Sequence, residues 1–370
     1  MKKFLWAVIP CAAAVIVFLI YLNLGSNGSQ QLSLWYVAGD VSPSAIESLA
    51  LEYNDHRGRD SYALSLQSFP SEEELASAFE YERPDLLLCS YTRAADLGNR
   101  GLLGAVELAD RDYLPAIEDA LPFAGRSFFP LGSAVPMLVF DSSMLNEAGI
   151  SPDFGSFERF LESAAEYRQK TGAPFFSAES LSPLLCTCCA SLGYELKGEP
   201  ELDGMNEDFA GTYNALASAA LEGSFLPPGE SRLEMVAAGL LPCVLLDRPS
   251  GIQLPEGLDY GPLPLPESGQ AVYVPDIMGF AVTGANSYAL ASVRDFLLWM
   301  QEDFSYRDTL ALGLVPVTAQ LKTEEATLPL EQLLLDTYHQ EAIVYPPLGN
   351  FYEKRQEMEN ELCRALDLLY

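Results

Sequence analysis

The sequence is poor in basic residues, and this shortage limits the ligands that the protein can bind. It contains 21 Lys and Arg against 52 Asp and Glu, which gives a formal net charge of −31. Proteins that bind nucleic acids need clusters of Lys and Arg to contact phosphates, so the composition argues against a nucleic-acid partner. The same charge disfavours a strongly anionic small ligand, unless a local basic pocket offsets it.

Histidine is scarce, and the common catalytic motifs are missing. The two His residues, His56 and His339, lie in polar segments, which argues against multi-His zinc sites and leaves few bases for a Ser or Cys nucleophile. The sequence has no P-loop, no dinucleotide-binding glycine motif, no nucleophile elbow and no His-Glu-x-x-His zinc motif. We therefore expect a non-enzyme without metal or cofactor. The many acids leave open a glycosidase carboxylate pair, although no spacing singles one out.

A hydrophobic segment opens the chain and predicts export. Lys2 and Lys3 precede a mostly apolar run from Phe4 to Leu24, whose length lies between those of a signal peptide and a membrane-spanning helix. A retained segment would anchor the protein on the outer face of the cytoplasmic membrane, and a cleaved one would leave it periplasmic or secreted. Lipidation at Cys11 is a third possibility, although Pro10 fits a lipoprotein cleavage site poorly. Residues 25–31 form a Gly- and Ser-rich linker.

Three of the seven cysteines cluster in one apolar stretch. Cys186, Cys188 and Cys189 lie within residues 184–192, a pattern that predicts a buried helix. Free Cys behaves as a small hydrophobic residue in such a place, so we expect the cluster to pack in a core. A disulfide stays open as an alternative, and the spacing disfavours a metal site.

Apolar periodicity predicts alternating strands and helices, and hence an α/β fold. The predicted strands cover residues 32–36, 62–66, 86–88, 134–140, 243–247 and 277–282. Predicted helices begin at Ser42–Pro43, at the capping box Ser71–Glu74, at Phe157 (running to Lys170) and at a Ser292 cap (running to Met300). Strand, helix, strand, helix and strand follow one another in the first part of the chain, as in a doubly wound parallel sheet.

One longer pattern resembles a known family. Phe129–Leu145, followed by Glu147–Ile150, contains a proline, small residues, a second proline, an apolar strand, a polar turn and a Leu-containing helix that ends in Glu-Ala-Gly. This stretch resembles the signature of the extracellular solute-binding proteins, family 1, which are receptors of ABC importers for sugars, oligosaccharides and glycerol phosphates. Shorter matches follow in family order over nearly all of residues 32–370: 84–88, 156–161, 237–246, 279–282 and 313–316.

The resemblance implies a two-lobed, periplasmic-binding-protein-like fold with a ligand cleft between the lobes. Lobe one would comprise residues 32–138 and 277–314, and lobe two residues 139–276 and 315–370. The implied partners are a small-molecule ligand, namely a sugar, polyol or sugar phosphate, and an ABC permease in the membrane. We expect a monomer that delivers a carbohydrate-like ligand by hinge closure. The alternative is a membrane-anchored sensory or adaptor protein that uses the same fold without import.

The candidate ligand-binding residues follow from strand ends, where ligands bind in open α/β sheets, and from the family's usual positions. They are Trp35, Asp40, Ser90, Tyr91, Arg93, Ser133, Asp247, Arg248, Tyr273 and Tyr345. A carboxylate such as Asp40 suits sugar hydroxyls because it accepts two hydrogen bonds. The two Arg residues would instead favour a phosphate or carboxylate group.

Aromatic residues set a further expectation for the ligand. The sequence has three Trp, of which only Trp35 lies near the implied site, because Trp6 belongs to the apolar N-terminal segment and Trp299 to a predicted core face. Tyr273 and Tyr345 are therefore the candidate stacking faces for a pyranose ring. Sugar receptors of this family usually carry several Trp residues in the cleft, so the shortage argues against a long oligosaccharide.

Overall fold

The structure is a computed structural model of the whole chain. It describes residues 31–57, 61–108, 126–192, 207–229, 231–246, 254–269, 272–273, 276–283, 287–302, 306–317 and 342–343, together with residues 360 and 364. The predictions for the N-terminal segment 1–24, Asp247, Arg248, His339 and Tyr345 lie outside these residues. Within them, no helix combines the length and the apolar character that a membrane crossing requires.

The described residues form strands and helices that alternate along the chain. The strands are β1 (Gln31–Val37), β2 (Ala63–Phe69), β3 (Leu86–Ser90), β4 (Phe128–Ala134), β5 (Met137–Phe140), β6 (Phe176–Ala178), β7 (Cys243–Leu246), β8 (Asp259–Pro262), β9 (Val272–Tyr273), β10 (Asp276–Val282), β11 (Val315–Pro316) and β12 (Ala342–Ile343). The helices are α1 (Pro43–His56), α2 (Glu72–Tyr81), α3 (Tyr91–Asn99), α4 (Ser142–Glu147), α5 (Phe157–Thr171), α6 (Ser182–Ser191), α7 (Glu207–Leu221), α8 (Arg232–Ala237), α9 (Ser287–Glu302) and α10 (Tyr306–Ala311). The predicted α/β class is confirmed.

The first sheet has six strands in the order β11-β4-β10-β3-β1-β2. Strand β1 lies parallel to both β2 and β3, which confirms the predicted doubly wound unit. Strand β10 is antiparallel to β3 and β4, and β11 is antiparallel to β4. The strand order places residues from the middle and the end of the described chain beside the N-terminal strands. We call this sheet and the helices that cover it the first lobe.

The second sheet has four strands in the order β6-β7-β5-β8, and we call it, with its helices, the second lobe. Strand β5 is antiparallel to β7 and β8, whereas β6 is parallel to β7. Only Val135 and Pro136 separate β4 of the first sheet from β5 of the second. Strands β9 and β12 form a separate parallel pair.

The crossing from one sheet to the other corrects one predicted strand. Residues 134–140 were expected to form a single strand, whereas they contain the end of β4, the linker at Val135–Pro136 and the whole of β5. The linker itself is buried at Val135, so hydrophobicity alone does not mark the break. Strand β11 also pairs with β4, which places Val315–Pro316 in the first sheet although the predicted division follows residue 314. The rest of the domain division stays a prediction.

Local sequence signals explain most of the helices. The predicted stripe of α1, formed by Ile46, Leu49, Ala50 and Tyr53, is the set of residues that this helix buries. The Ser71 hydroxyl accepts a hydrogen bond from the Glu74 backbone N–H at 3.3 Å and caps α2 as expected. Helix α5 runs from Phe157 to Thr171 and ends at Gly172, which adopts a left-handed conformation with φ of 75°.

One predicted cap is wrong. Ser292 was expected to begin a helix, but α9 already begins at Ser287 and continues to Glu302. Ser292 lies inside the helix, is buried, and its hydroxyl accepts a hydrogen bond from the Tyr62 backbone N–H at 3.2 Å. The residue therefore joins α9 to the start of β2. Trp299 of the same helix is buried, as its predicted core position requires.

The cysteine cluster packs in the core of the second lobe. Cys186 and Cys188 on α6 and Cys243 on β7 are buried free thiols that belong to one hydrophobic cluster. Burial raises the pKa of the Cys188 thiol, and the charge of Glu158 and the nearby Cys186 raise it further. The expectation of core packing is confirmed for these residues. Among the residues that the structure describes, no group of His, Cys, Asp and Glu is arranged to hold a metal ion.

Candidate functional site

One edge of the first sheet collects the ends of several strands. Strands β1, β3 and β4 point in the same direction, because β10 is antiparallel to both β3 and β4. Their carboxyl ends therefore meet the amino end of β10 at one edge, where Ser90 lies opposite Met278 and Ala134 lies opposite Asp276. We call this the carboxyl edge. It adjoins the Val135–Pro136 linker, so it faces the passage between the two sheets.

Four charged residues lie at the carboxyl edge. Asp40 is in the turn after β1, Glu72 begins α2 after β2, Arg93 is in the first turn of α3 after β3, and Asp276 begins β10. All four side chains are half-buried. The buried thiol of Cys89 lies beneath them in β3. We call these four residues the charged edge.

The four charges of the edge act on the pKa of the buried Cys89 thiol. Burial raises this pKa most, and the nearby charges act on it in both directions: Glu72 raises it, Arg93 lowers it, and Asp40 and Asp276 raise it. A charge affects a buried group only when it lies close by, because solvent screens distant charges. The sheet topology places the predicted Asp40 and Arg93 at the same edge, together with Glu72 and Asp276, which were not among the predicted site residues.

Ser90 holds the loop that carries Arg93. The Ser90 hydroxyl accepts a hydrogen bond from the Arg93 backbone N–H at 3.2 Å and caps α3. This cap fixes the first turn of the helix directly after the strand ends. Ser90 is itself buried, so its contribution is to position Arg93 at the edge.

Tyr91 and Ser133 lie on opposite sides of β10, near Ile277. Ser133 pairs with Ile277, and Tyr91 directly follows Ser90, the partner of Met278. The Tyr91 ring is buried and packs edge-on against Phe128 at 5.4 Å between ring centroids. Ser133 is completely buried, and its hydroxyl has no hydrogen-bond partner among the residues that the structure describes. Both positions lie directly below the charged edge.

Trp35 occupies a different place from the one expected for a ligand-stacking ring. It is 3% exposed, and its ring packs against Phe69 with 4.9 Å between centroids. The reason is the alternation of side chains along β1, which directs Trp35 and Val37 into the core cluster under α2 and α3. In this structure the ring therefore forms part of the core and presents no open face to a ligand.

The second lobe presents its own strand ends toward the linker. Strands β6 and β7 end at Ala178 and Leu246, and Leu246 pairs with Met137, the first residue of β5. Asp247 and Arg248 would follow β7 but lie outside the described residues. Tyr273 belongs to β9, where its backbone pairs with Ile343, and Tyr345 lies outside the described residues.

A further arginine lies beside the end of β6. The Gly229 backbone N–H donates to the Ala178 carbonyl at 3.0 Å, which holds the loop before α8 against this strand end. Arg232 then donates from Nη2 to the Pro227 carbonyl at 2.8 Å, and its buried Nε has no partner among the described residues. Ser231, directly before it, has a φ of 58°, which is uncommon for a residue other than glycine.

Three further residues at these strand ends were not among the predicted site residues, namely Glu72, Asp276 and Arg232. Glu72 carried a usable signal, because it follows a predicted strand and begins a predicted helix at the edge where ligands bind. Asp276 had no such signal in the sequence, because its position at this edge depends on the antiparallel direction of β10. Arg232 depends on the fold of the 226–231 loop, for which the sequence offered no motif.

A pocket of the first lobe is not lined by any residue of the charged edge. Its volume is about 410 Å³. It lies between α1 and α10 and is lined by Ser42, Ser44, Ala45, Ser48, Leu49, Glu52, Asp308 and Ala311. None of the predicted ligand-binding residues lines it. The candidate site is therefore defined by the charged and polar residues at the carboxyl edge.

Structural comparison identifies the architecture. The GacH receptor of Streptomyces glaucescens, solved unliganded and in complex with acarbose, matches 92% of this chain and 94% of its own with a TM-score of 0.73 and 15% sequence identity. An ABC substrate-binding protein of Listeria monocytogenes, in complex with cycloalternan, matches 92% of this chain and 95% of its own with a TM-score of 0.73 and 11% identity. The chain has the two-lobed fold of these binding proteins.

A third binding protein shows the same fold. The galacto-N-biose and lacto-N-biose I-binding protein of the ABC transporter from Bifidobacterium longum matches 92% of this chain and 93% of its own, with a TM-score of 0.70 and 14% identity. No protein-family model and no curated protein sequence matches the chain. At these identities the comparison supports the binding-protein fold, while the ligand must be argued from the site itself.

Proposed function

We propose that this protein is an extracytoplasmic solute receptor. It captures a carbohydrate-like molecule between its two lobes and delivers it, as a monomer, to an ABC permease. The observation that carries the proposal is the charged edge, which gathers three carboxylates and a guanidinium beside the linker between the sheets. The solved proteins with the same fold include receptors of sugars and oligosaccharides.

The chemistry of the charged edge suits hydroxyl-rich ligands. A carboxylate accepts hydrogen bonds from two neighbouring hydroxyls, and a guanidinium donates several in one plane. Asp40 and Arg93 stand at adjacent strand ends, so one ligand can contact both. Hydrogen bonds to charged groups contribute about 1.5–3 kcal/mol each, which suffices for a receptor with few aromatic stacking faces.

The proposed mechanism is capture followed by closure. The linker at Val135–Pro136 and the return strand β10 connect the lobes, so rotation about them would bring the end of β6, with Arg232, toward the charged edge. The closed form would then dock on the permease. The protein binds and releases its ligand without a chemical step, and the apolar N-terminal segment exports it and anchors it unless it is cleaved.

Thermal denaturation of the full-length protein tests the proposal. The ligand panel covers neutral sugars, polyols, sugar phosphates, amino acids and peptides. A ligand present at about 100 times its dissociation constant adds about 2.7 kcal/mol to the free energy of unfolding, which is a clear shift in Tm. We expect shifts with carbohydrates alone.

Substitution of Asp40 assigns the binding to the charged edge. Asp40→Asn should weaken the carbohydrate found in the panel about tenfold, because it removes a charge-assisted hydrogen bond. Glu73→Gln is the matched control, since Glu73 is an exposed residue of α2 outside the charged edge. A panel without any shift would argue against a receptor and favour the sensory or adaptor protein.

A further inference from the structure

Arg232 lies at the edge of the second sheet that faces the first lobe. Strand β7 ends at Leu246 opposite Met137, the first residue of β5 after the linker, and β6 runs parallel to β7. Both strands therefore end at this edge. The loop before α8 runs along β6 to its end at Ala178, and Arg232 follows this loop as the first residue of α8. Ligands of open α/β sheets bind at such strand ends.

Several contacts hold the guanidinium of Arg232 in one place. Its Nη2 donates to the Pro227 carbonyl at 2.8 Å, and the buried Ser177 hydroxyl donates to the same carbonyl at 3.0 Å. The guanidinium packs against Gly229, where a Cβ would lie 3.0 Å from Nη2 and 3.4 Å from Cζ. Ser231, directly before it, keeps a left-handed backbone with φ of 58°. A non-glycine residue holds such a conformation only where the surrounding structure fixes it, often at ligand-binding sites.

This fixed guanidinium has no carboxylate partner within the described part of the chain. The ion pairs found there join Arg100 to Asp96, Arg159 to Glu162 and Lys170 to Glu166. Arg232 contacts the Met235 thioether, a weak acceptor, with Nη1 at 3.2 Å, and its Nε has no partner among the described residues. The chain carries 52 acids against 21 Lys and Arg, so acids are not scarce. A charged donor without an acceptor is costly, and an anionic group of a ligand would satisfy it.

Arg232 and the charged edge lie on the same side of the two sheets. Met137 belongs to the apolar cluster under α2 and α3, whereas Val139, two residues along β5, packs with Val236 of α8. Side chains two residues apart in a strand point to the same face, so α3 and α8 cover the same side. Helix α3 carries Arg93 in its first turn, and α8 carries Arg232. A ligand that spans the passage on this side can therefore contact both lobes.

Resting on the proposed receptor function, we propose that the ligand is a saccharide that carries a carboxylate group, which Arg232 binds. A carboxylate accepts two parallel hydrogen bonds from a guanidinium, while the charged edge across the passage contacts the hydroxyls of the sugar. The net charge of −31 opposes anions. A single carboxylate charge therefore fits better than a phosphate group, which carries almost two charges at neutral pH.

Matched sugars isolate the effect of the carboxylate. Calorimetric titration of the full-length protein compares glucuronate with glucose and with the neutral methyl ester of glucuronate. The same three forms of galactose make a second set, and the β-1,4-linked disaccharides of glucose and of glucuronate make a third. We expect the acid to bind at least about tenfold more tightly than every neutral member of its set, which corresponds to one charge-assisted contact. Added salt should weaken only the acids.

Variants of Arg232 assign the preference to this residue. Arg232→Gln should weaken the acid about tenfold and change the neutral sugars little. Arg57→Gln is the matched control, because Arg57 is also half-buried with an unpartnered Nε among the described residues, but lies beside the start of β2 at the opposite edge of the first sheet. The Tm of each variant without ligand shows whether it folds. If Arg232→Gln does not fold, Arg232→Lys keeps the charge without the planar pair of donors and should reduce the preference at least about threefold.

The outcomes separate this inference from the proposed function. A neutral sugar that binds as tightly as its acid, or glucose 6-phosphate that binds more tightly than glucuronate, overturns the carboxylate preference and leaves the receptor function in place. An acid preference that survives substitution of Arg232 overturns the assignment to this residue. An equal loss of acid and neutral sugars in Arg232→Gln would show that Arg232 only supports the loop before α8. Absence of binding by every saccharide of these sets and of the wider panel overturns both.

Discussion

The two lobes bury their cores in different ways. Four strands of the first sheet, β1, β2, β4 and β10, are seven residues long, and separate clusters of aliphatic and aromatic side chains cover its two faces. The strands of the second sheet have three or four residues. The second lobe compensates with a phenylalanine cluster, formed by Phe154, Phe160, Phe175, Phe176 and Phe225.

The difference concerns where stability is concentrated. In the first lobe, long paired strands distribute the stability over many backbone hydrogen bonds and many small side-chain contacts. In the second lobe, fully buried rings contact one another directly, and Phe160 alone contacts three other rings with centroids 4.8 to 5.5 Å apart. The sheet of the first lobe also supplies the charged edge. The first lobe, whose stability is spread over long strands, therefore carries most of the candidate site.

Removal of Phe160 should have the largest effect. We expect Phe160→Ala to lower the free energy of unfolding by about 4 kcal/mol, because it leaves a cavity and removes three ring contacts. Hydrogen exchange should show the loss first in β5, β6 and β7. Phe280→Ala is the matched change in the first lobe, where Phe280 is buried but contacts only the Phe296 ring among the described aromatic pairs. An equal or larger loss from Phe280→Ala would contradict the contrast between the lobes.

The second-largest difference in stability between the lobes should come from Gly→Ala substitutions in their sheets. Gly279 lies at a register shift between β10 and β4, and a Cβ there would lie 2.7 Å from Phe128 Cζ and closer still to the Phe129 carbonyl oxygen. We expect Gly279→Ala to cost about 3 kcal/mol by overpacking. Gly261 in β8 has its nearest neighbour 3.8 Å away, so Gly261→Ala should cost under about 1 kcal/mol.

Denaturant unfolding of both glycine variants measures this difference. A Gly279→Ala protein as stable as wild type would mean that β10 and β4 can separate without cost. The long sheet would then be less tightly constrained than its register indicates.

The smallest expected effect is the loss of stability at acid pH from the Asp141 cap of α4 in the second lobe. Burial raises the pKa of Asp141, but hydrogen bonds from the Ser143 hydroxyl and from the Met144 and Ser143 backbone N–H groups lower it more, so the net pKa lies below its usual 3.8. The folded state therefore gains stability from this carboxylate above pH 3.8 and loses it as the pH falls through the lowered value. The gain is about 1 kcal/mol, as for other N-caps.

The variant Asp141→Asn isolates this cap from the other acids. The stability difference between wild type and Asp141→Asn should change by about 1 kcal/mol between pH 5 and acid below the lowered pKa. Ser71→Ala removes the α2 cap of the first lobe and should cost about 1 kcal/mol at both pH values, since a hydroxyl does not titrate there. A constant difference for Asp141→Asn would show that its carboxylate is not the cap.

Elements with strong local patterns were predictable. The apolar stripe of α1, the Ser71 cap and the extent of α5 depend on residues within a few positions of one another, and the structure confirms them. The prediction failed where neighbouring elements decide. The strand predicted over residues 134–140 is divided because two different sheets pair with its halves. Ser292 does not begin a helix because α9 already begins at Ser287, and its hydroxyl accepts a hydrogen bond from the Tyr62 backbone N–H.

The candidate site also divides into residues that local sequence predicts and residues that only the fold places. Strand-end reasoning selected Asp40 and Arg93, which the fold brings to one edge, but it also selected Trp35, whose ring packs in the core because of the alternation along β1. It did not select Asp276, because the direction of β10 is set by its pairing with β3 and β4. The predicted site residues of the second lobe stay predictions.

The sequence by itself determined the fold class, the order of most strands and helices, the buried helix faces and the expectation of export, since each depends on local periodicity, capping or composition. Only the tertiary structure decided the site. Residues 40, 72, 93 and 276 lie at one edge because β1, β2 and β3 end there and β10 begins there, and strand order and direction result from packing between segments far apart in the chain. Local sequence carries no record of such pairings, so the charged edge became visible only in the folded protein.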